Sequence, residues 1–180
     1  IGSEFSYLED YLTRKSLLIP ISQSGETIDV IDPVTKAKKR GAKIASIVNV
    51  MGSTLYRMSD YKFLLAAGPE KAVVSTKAFI AMYSLLLLTA YSVANKEDQG
   101  VELLMKASEN LREILRKTDV IKNVSEILKN KDHVFVIGRG LSYVAALEAS
   151  LKLKEASYIH AEGFAGGELK HGVIALIEKG

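Results

Sequence analysis

The sequence has 180 residues, of which 48% are hydrophobic and 25% charged, so its composition is that of a globular protein with one domain or two small ones. Its net charge of +3 is too small and too evenly spread to predict a nucleic-acid-binding surface. It contains no cysteine, which excludes disulfides and thiolate metal sites and favours a reducing compartment such as the cytoplasm.

The first predicted element is a buried parallel strand over residues 16–22, where the apolar run "SLLIP" ends in polar residues. A helix is predicted over 26–41, because apolar residues recur along one side, basic residues gather near its end and a glycine follows. Pro33 lies inside this helix and predicts a kink or a delayed start. Residues 42–50 and 61–67 are the next two predicted strands.

The segment "GPEKAVVSTKAF" predicts the start of a long helix, because Pro69 and Glu70 are residue types that helices prefer in their first turn. Residues 78–94 form the most apolar run of the chain and are flanked by Lys77 and Lys96. Because this run is short for spanning a bilayer, we interpret it as a buried core helix rather than an interfacial one, and we expect no membrane partner.

Charged residues alternate with leucines and isoleucines from Asn95 to Lys131, which predicts amphipathic helices with one solvent-facing side. The tripeptide "KTD" at 117–119 predicts a break between two such helices, with Thr118 or Asp119 as the N-cap of the second. We interpret this region as a helical connection between two α/β units.

A strand–turn–helix pattern returns after the connection, with an apolar strand at 133–137, the turn "GRGLS" and a helix over 141–158. The tripeptide "ALI" at 175–177 predicts the start of another strand. Repeated units of this kind predict an α/β fold with a doubly wound parallel sheet. Ligands of such sheets bind at the carboxyl ends of the strands, where both "SQSGET" and "GRGLS" lie.

The segment "SQSGET" at 22–27 has two interpretations. A turn from strand to helix leaves the first helical amides unpaired at the positive end of the helix dipole, and a glycine allows close approach, which suits a phosphate monoester. The polar side chains are those of Ser22, Gln23, Ser24 and Thr27. The alternative is a serine-capped helix start with no ligand. The lysine of a Walker loop is absent.

Two shorter segments have structural interpretations as well. "GRGLS" at 138–142 lacks the third glycine of a dinucleotide fingerprint, so we interpret it as a structural turn. In "KLKE", Lys152 and Glu155 share a helix face. They form either a solvated ion pair or, in surroundings rich in alanine and leucine, a site where the glutamate transfers protons.

The predicted Gly-rich loop at 158–172 is dense in histidines and glutamates. A metal site there would use His160, Glu162, Glu168 and His171. No histidine pair has the i,i+4 spacing of a helical zinc site, so we expect no metal. We interpret His171 as an acid or base that faces a sugar.

Three segments, "SQSGET", "AGPEKAVVSTKAF" and above all "ALEASLKLKEASYIHAEGFAGGELKHG", resemble the sugar isomerase (SIS) domains of glutamine-dependent glucosamine-6-phosphate synthases. The resemblance covers nearly the whole chain and weakens over 95–130. It implies flavodoxin-like SIS units: the second half of one (1–95), a helical connection (96–130) and the first half of the next (131–180).

The resemblance also implies roles for individual residues. The implied ligands of the phosphate of fructose 6-phosphate are Ser22, Gln23, Ser24 and Thr27. Val73 and Ser75 would line the sugar, and glucosamine 6-phosphate or glucose 6-phosphate would bind in the same place. Glu155 would move a proton between C1 and C2 with Lys152 beside it, and His171 would assist ring opening from the neighbouring subunit of a homodimer. No metal or redox cofactor is needed for such a proton transfer.

The sequence departs from the family pattern in several ways. The resemblance places its first residue after the family's first strand and hydroxyl loop, and the glutaminase domain and C-terminal lysine segment lie outside it. Val173 stands where the family usually has proline. We expect the 180-residue chain not to turn over by itself. Two alternatives stay open: a non-catalytic SIS module that senses a sugar phosphate, and a glutaminase-free sugar-phosphate isomerase or deaminase.

Overall fold

The structure of the protein is a computed structural model that describes residues 1–5 and 7–177. The chain divides into two compact units, Ile1–Met105 and Lys106–Gly180. The predicted second domain extends beyond the described residues at 178–180. The predicted division into two partial SIS domains and a helical connection stays a prediction.

The first unit is built on a parallel sheet. Its strands are β1 (Leu17–Leu18), β2 (Ile21–Ser22), β3 (Lys43–Val48) and β4 (Tyr61–Leu64). Its helices are α1 (Gly2–Phe5), α2 (Ile28–Lys39), α3 (Thr54–Met58) and α4 (Lys77–Val93), and a 3-10 turn spans Glu9–Tyr11. Strand β3 pairs with β1 and β2 and also with β4, always in parallel. The strands predicted at 16–22, 42–50 and 61–67 are therefore confirmed as strands, although the third ends at Leu64. The predicted burial of the first is wrong, because Leu17 and Ile19 are exposed.

Strands β1 and β2 are two pieces of one extended segment. Leu18 pairs with Ile44 and Ile21 pairs with Ile47, so both pieces keep the same register along β3. Pro20 lies between them and has no N–H to donate, which sheets tolerate best in an edge strand. Its carbonyl still accepts the N–H of Ile47 at 2.9 Å, so the interruption leaves the pairing with β3 intact.

The core of this unit joins α2, β3 and α3. Its buried members are Val34, Ala37, Ala42, Ile44, Val48 and Leu55. Strand β3 is buried without a break over residues 44–48, as expected for a parallel strand that is covered on both faces. Removing this apolar surface from water is the main stabilising contribution to the unit.

Helix α2 begins at Ile28 and continues through Pro33, so the predicted delay of its start is wrong. Pro33 has no N–H for the carbonyl of Asp29. Helix α1 packs against that carbonyl, and a Cβ on Gly2 would lie only 2.6 Å from its oxygen. The predicted stop is confirmed, because Gly41 follows the helix with φ of +87°.

Helix α4 begins at Lys77, so the predicted start at Pro69 and Glu70 is wrong. Glu70 acts from outside the helix: its carboxylate accepts the N–H of Ala78 at 2.9 Å and so satisfies a first-turn amide near the positive end of the dipole. Of the residues in α4, Ala78 is the buried one, so the predicted core helix is only partly buried. Among the described residues, no helix combines the length and apolar character needed to cross a membrane.

The amphipathic region forms α5 (Glu97–Arg116) and α6 (Thr118–Leu128), as predicted. The break falls at Lys117, which occupies the N-cap position, so the predicted caps Thr118 and Asp119 are wrong. Both residues already lie in the first turn of α6, where the carboxylate of Asp119 complements the helix dipole.

The second unit contains a two-stranded parallel sheet and a covering helix. Besides α6 and the C-terminal part of α5, its elements are β5 (His133–Gly138), α7 (Leu141–Ser157), β6 (His160–Ala165) and two 3-10 turns, Glu168–Lys170 and Val173–Leu176. The strands pair from His133 with His160 to Gly138 with Ala165. The strand predicted at 133–137 is confirmed, and so is the α/β class with parallel sheets.

Two predictions for this unit are wrong. The segment 158–172 is not only a loop, because it contains β6, and 175–177 belongs to a 3-10 turn and its end rather than a strand. Strand β6 was hidden by its glycine and titratable residues. A Cβ on Gly163 would lie 2.9 Å from the backbone of Ala146 and Leu147, so the close packing of β6 on α7 requires glycine there.

Candidate functional site

The hydroxyl loop, residues 22–27, follows β2 at the carboxyl edge of the first unit's sheet. Ser22 pairs with Val48, the last residue of β3, and Val48 pairs with Leu64, the last residue of β4. Because these strands are parallel, the 65–76 segment that follows β4 starts at the same edge as the loop. This is the edge at which parallel α/β sheets bind ligands.

Hydroxyl groups of the loop bind one another and the loop's own amides. The Oγ of the buried Ser22 accepts the N–H of Gly25 at 3.0 Å and lies 2.8 Å from Oγ1 of Thr27. The Oγ of Ser24 accepts the N–H of Glu26 at 3.2 Å. When Ser22 donates to Thr27, the proton of the exposed Thr27 hydroxyl is available to a ligand. The buried Ser22 therefore stabilises the conformation of the loop.

Gly25 forms the tightest point of the loop. Its φ of +68° lies in the left-handed region, and a Cβ there would lie 2.1 Å from Oγ of Ser53. Its carbonyl accepts the N–H of Leu55 at 3.0 Å. Because no side chain fits between the loop and the start of α3, only glycine lets the backbone pass so close.

Among residues 1–5 and 7–177, no side chain caps helix α2, which begins directly after the loop. The carbonyl of Thr27, the N-cap residue, accepts the N–H groups of Val30 and Ile31, both at 3.0 Å, but its side chain makes no capping bond. The N–H groups of Ile28 and Asp29 lie too early in the helix to reach an intrahelical carbonyl. With the positive end of the helix dipole they attract an anion. The structure therefore lacks the cap of the alternative interpretation.

Glu26, the acidic residue of the loop, is engaged with α3. Its Oε1 accepts the N–H of Thr54 at 2.7 Å. The hydrogen bonds from Thr54, and to a smaller extent the charge of Arg57, hold the pKa of Glu26 below its ordinary value of 4.5. The carboxylate is thus held by the amide at the start of α3.

Asn49 follows β3 directly and connects the hydroxyl loop to the 65–76 segment. Its N–H donates to the carbonyl of Gln23 at 3.1 Å. Its Nδ2 donates to the carbonyl of Gly68 at 2.7 Å, and its Oδ1 accepts the N–H of Ala67 at 3.0 Å. Asn49 was not among the predicted site residues, although "NVMGST" follows β3 as "SQSGET" follows β2 and the same signal indicates both.

Val73 and Ser75 lie on the 65–76 segment. The side chain of Val73 is 89% exposed and Ser75 is half-buried. Val73 is therefore accessible to a molecule that binds beside the hydroxyl loop. Contact of these two residues with a sugar stays a prediction.

In the second unit, Lys152 lies between two glutamates on α7. Its Nζ is 2.7 Å from Oε2 of Glu155 and 3.4 Å from Oε1 of Glu148. Burial opposes the charge of Lys152, but the hydrogen bond that Lys152 donates to Glu155 and the charges of both glutamates outweigh it, so the pKa of Lys152 lies above its ordinary value of 10.5. The predicted pair is present. Glu148 was missed, although its i,i+4 spacing to Lys152 indicates it.

The three charged side chains face away from β5 and β6. Ala146 and Ser150 are the buried residues of α7, and Ala146 packs against Gly163 of β6. Helical periodicity places Glu148, Lys152 and Glu155 on the opposite side of the helix. A ligand that contacts Glu155 therefore approaches α7 from its outer face.

The turn "GRGLS" is required by packing. A Cβ on Gly138 would lie 2.0 Å from the carbonyl oxygen of Ser142, and Gly140 has φ of +55°. Gly138 therefore allows the close approach of β5 to the first turn of α7, and Gly140 supplies the left-handed conformation directly before that helix. This supports the interpretation of the segment as a structural turn.

His171 follows the first 3-10 turn after β6 and is exposed. Its N–H donates to the carbonyl of Glu168 at 2.9 Å. Within the described part of the chain, its side chain makes no hydrogen bond or ion pair with Lys152 or Glu155. The structure thus brings Lys152 and Glu155 into contact, and among the described residues His171 is bonded to neither.

The alternative metal ligands are not gathered at one point. The Nε2 of His160 is 3.3 Å from Oε1 of Glu162, and its Nδ1 is 3.0 Å from Nδ1 of His133 on β5. Across residues 1–5 and 7–177, no three imidazole, thiolate or carboxylate groups converge to hold a metal ion. His160 therefore pairs across the sheet.

Comparisons with known proteins extend over most of the chain. A family model described as "SIS domain" matches residues 2–92 and 127–180. A glutamine–fructose-6-phosphate aminotransferase (isomerizing) from Clostridium perfringens is 44% identical over 187 residues, which cover 99% of this chain and 31% of that protein. The chain thus spans about a third of the length of the curated relatives it matches.

Two solved structures carry the same fold. The C-terminal domain of glucosamine-fructose-6-phosphate aminotransferase from Francisella tularensis has a TM-score of 0.75 and 40% identity, over 91% of this chain and 48% of that chain. Glucosamine-6-phosphate deaminase from Thermotoga maritima has a TM-score of 0.75 and 26% identity, over 99% of this chain and 55% of that chain. The resemblance inferred from the sequence motifs is confirmed by these matches.

Proposed function

The chain belongs to the SIS domain family, and on that premise we propose that it is the isomerase part of a glucosamine-6-phosphate synthase, a glutamine-dependent fructose-6-phosphate aminotransferase. The observation that carries this proposal is the uncapped start of α2 beside the hydroxyl loop, 22–27. Open amides, hydroxyl groups and a helix dipole together suit the phosphate of a phosphorylated sugar.

The first unit supplies the phosphate grip. The residues assigned to the phosphate are Ser22, Gln23, Ser24 and Thr27. Thr27 offers its hydroxyl, and the buried Ser22 holds the loop in shape. Val73 and Ser75 line the sugar, because the 65–76 segment starts at the same sheet edge as the loop. A fixed phosphate sets the position of the reacting carbons and so lowers the entropic part of the barrier.

The second unit supplies the proton transfer. Ammonia, delivered by a glutaminase domain, condenses with C2 of the open-chain sugar as water leaves. A proton then moves from C1 to C2 while the proton of the C1 hydroxyl passes to the nitrogen, which gives the 2-amino aldose. Glu155 takes up and returns this proton. Lys152 contacts its carboxylate at 2.7 Å and orients it. The step is an isomerisation with no net oxidation or reduction, so the proposal includes no redox cofactor.

His171 assists ring opening in this proposal and serves the site of the neighbouring subunit of a homodimer. Its exposure, which leaves the imidazole accessible to another subunit, supports this role. The ligands of the site are fructose 6-phosphate, glucosamine 6-phosphate and glucose 6-phosphate.

The test is loss of proton exchange in Glu155→Gln, measured by NMR in deuterated water with fructose 6-phosphate and the protein in its full natural length. We expect the C1–C2 exchange rate to fall by about 10²- to 10⁴-fold, the range typical of a general base, with binding retained. Glu148→Gln is the matched control, because it removes a second carboxylate from the same lysine. It should lower the rate far less. Equal losses in both variants would contradict the assignment.

A deaminase is the second candidate, favoured by the likeness to glucosamine-6-phosphate deaminase from Thermotoga maritima. It would release ammonia from glucosamine 6-phosphate and would not use glutamine. A sugar-phosphate sensor would bind hexose 6-phosphate without C1–C2 exchange, and Glu155→Gln would leave its function intact. Assays of the wild-type protein with glutamine, with ammonia and with glucosamine 6-phosphate separate the three functions.

A further inference from the structure

The side chain of Asn49 makes a pair of hydrogen bonds that only an amide of this length can make. Nδ2 donates to the carbonyl of Gly68 at 2.7 Å, and Oδ1 accepts the N–H of Ala67 at 3.0 Å. One partner is an acceptor and the other a donor, so aspartate would lose one bond and leucine both. The side chain thereby continues the pairing between β3 and β4 beyond the last paired residues, Val48 and Leu64.

The backbone that Asn49 holds is strained. Ala66 has φ of +52° and Gly68 has φ of +69°. A left-handed conformation is unfavourable for a residue with a side chain, so Ala66 adopts it only where the surroundings compensate. The bond from Ala67 to Asn49 lies directly beside this residue, and strain of this kind concentrates at functional sites.

The main chain of Asn49 reaches the other side of the site. Its N–H donates to the carbonyl of Gln23, inside the hydroxyl loop, at 3.1 Å. One residue therefore contacts the loop assigned to the phosphate through its backbone and the 65–76 segment through its side chain.

We propose that Asn49 is a positioning residue that sets the distance between the phosphate-binding loop and the 65–76 segment, and so makes the site select a phosphorylated sugar over inorganic phosphate. The inference rests on the proposed function, since it assigns the sugar to Val73 and Ser75. Asn49 acts through these two segments and need not touch the ligand itself.

The test compares two ligands in Asn49→Ala, in the protein at its full natural length. Alanine removes both side-chain bonds and keeps the backbone bond to Gln23. Two hydrogen bonds of ordinary strength predict an affinity for glucose 6-phosphate about tenfold lower, with affinity for inorganic phosphate unchanged within about twofold. Asn123→Ala is the control, because Asn123 is an exposed asparagine on α6. It should change neither affinity.

Equal losses for both ligands, or no loss for either, would overturn the proposal. Should Asn49→Ala fail to unfold cooperatively, Asn49→Asp replaces it. Asp keeps the bond from Ala67, and its charge weakens both anionic ligands alike. The ratio of the affinity for glucose 6-phosphate to that for inorganic phosphate therefore still reports the contribution of the sugar. It should fall, as expected for Asn49→Ala.

Failure of the proposed function is distinguishable from failure of this inference. A wild-type protein that binds no hexose 6-phosphate overturns the proposed function and the sugar selectivity with it, but not the distance that Asn49 sets between the two segments. The positioning role then depends on trypsin cleavage after Lys71, an exposed residue of the 65–76 segment. Asn49→Ala should be cut there several-fold faster than the wild type and Asn123→Ala at the wild-type rate. Equal cleavage of all three would overturn the positioning role.

Discussion

Gly25 and Gly52 have similar backbone conformations in different surroundings. Their φ angles are +68° and +78°, but a Cβ on Gly25 would lie 2.1 Å from Oγ of Ser53, whereas a Cβ on Gly52 meets no atom within 4 Å. Gly52→Ala should cost only the left-handed strain, about 1–2 kcal/mol of unfolding free energy. Gly25→Ala adds the clash, about 1–3 kcal/mol more, and should also abolish phosphate binding.

Urea unfolding of both alanine variants measures this difference, with phosphate binding as the second readout. Because both variants suffer the left-handed strain, the difference between their unfolding free energies measures the clash with Ser53. Equal destabilisation by the two variants would mean that Ser53 moves aside without cost.

At the residue scale the sequence located the hydroxyl loop but not how its side chains are used. Polar residues after an apolar strand indicate a site at the strand's carboxyl end, and this was enough to select residues 22–27. The Oγ of Ser22 accepts the N–H of Gly25, and this bond depends on the turn at Gly25. Ser53, which lies far away in the sequence, constrains that turn. Contacts of this kind have no local signature.

Strand β4 is fixed to the start of β3 by Asp60. Its N–H donates to the carbonyl of Ile44 at 2.9 Å, and its Oδ2 accepts the N–H of Ile44 at 2.9 Å. The bond from Ile44, followed by the bond from Lys43, holds the pKa of Asp60 below its ordinary value of 3.8. The ionised form is therefore the one that stabilises the pairing of β3 with β4.

Asp60→Asn should lower the unfolding free energy at neutral pH. A depressed pKa contributes stability that is present above 3.8, the ordinary value, and is lost as the pH falls through the lower folded value. The difference between variant and wild type should therefore shrink toward about pH 2, as measured by urea unfolding across that range. Asp132→Asn, at an exposed aspartate, is the control and should show no such trend. A difference independent of pH would contradict the ionic origin.

At the scale of elements, periodicity and apolar runs predicted the three strands of the first unit, the helix pair α5 and α6, and strand β5. Boundaries that depend on tertiary contacts were mispredicted. The start of α4 moved to Lys77 because Glu70 bonds back to Ala78 from an extended segment. Strand β6 escaped detection because its packing on α7 requires Gly163, a residue that weakens a strand pattern.

If His171 of one subunit serves the site of its neighbour, as proposed, two inactive variants should restore activity when they are combined in one dimer. Glu155→Gln and His171→Asn should each inactivate the protein when present in every subunit. In a dimer carrying one variant in each subunit, one of the two sites receives both wild-type residues. Co-expression with separate affinity tags, and activity measured on the doubly tagged fraction, tests this.

The expected activity is about half that of a wild-type dimer, provided that the two sites work independently. Absence of activity in the mixed dimer, with intact subunit association, would contradict the exchange. Activity of His171→Asn alone would remove the residue from the mechanism.

The fold class could be predicted for the whole molecule because strand–turn–helix units recur along the chain, and both units have parallel sheets. The placement of Lys152 and Glu155 could be predicted only in part. Spacing put them on one helix face, but that this face is the one turned away from β5 and β6 depends on which residues of α7 are small enough to pack there, Ala146 and Ser150.

The hydroxyl loop contains no lysine or arginine, and its open amides belong to the uncharged backbone of α2. Neutral donors and a helix dipole act over the first turn only, so dissolved ions screen them less than they screen exposed charged side chains farther from the ligand. Sugar-phosphate affinity should therefore change little with ionic strength, whereas competition by other small anions that fit the same amides should be direct. A phosphate site built in this way would depend little on ionic strength and strongly on which small anions compete for its amides.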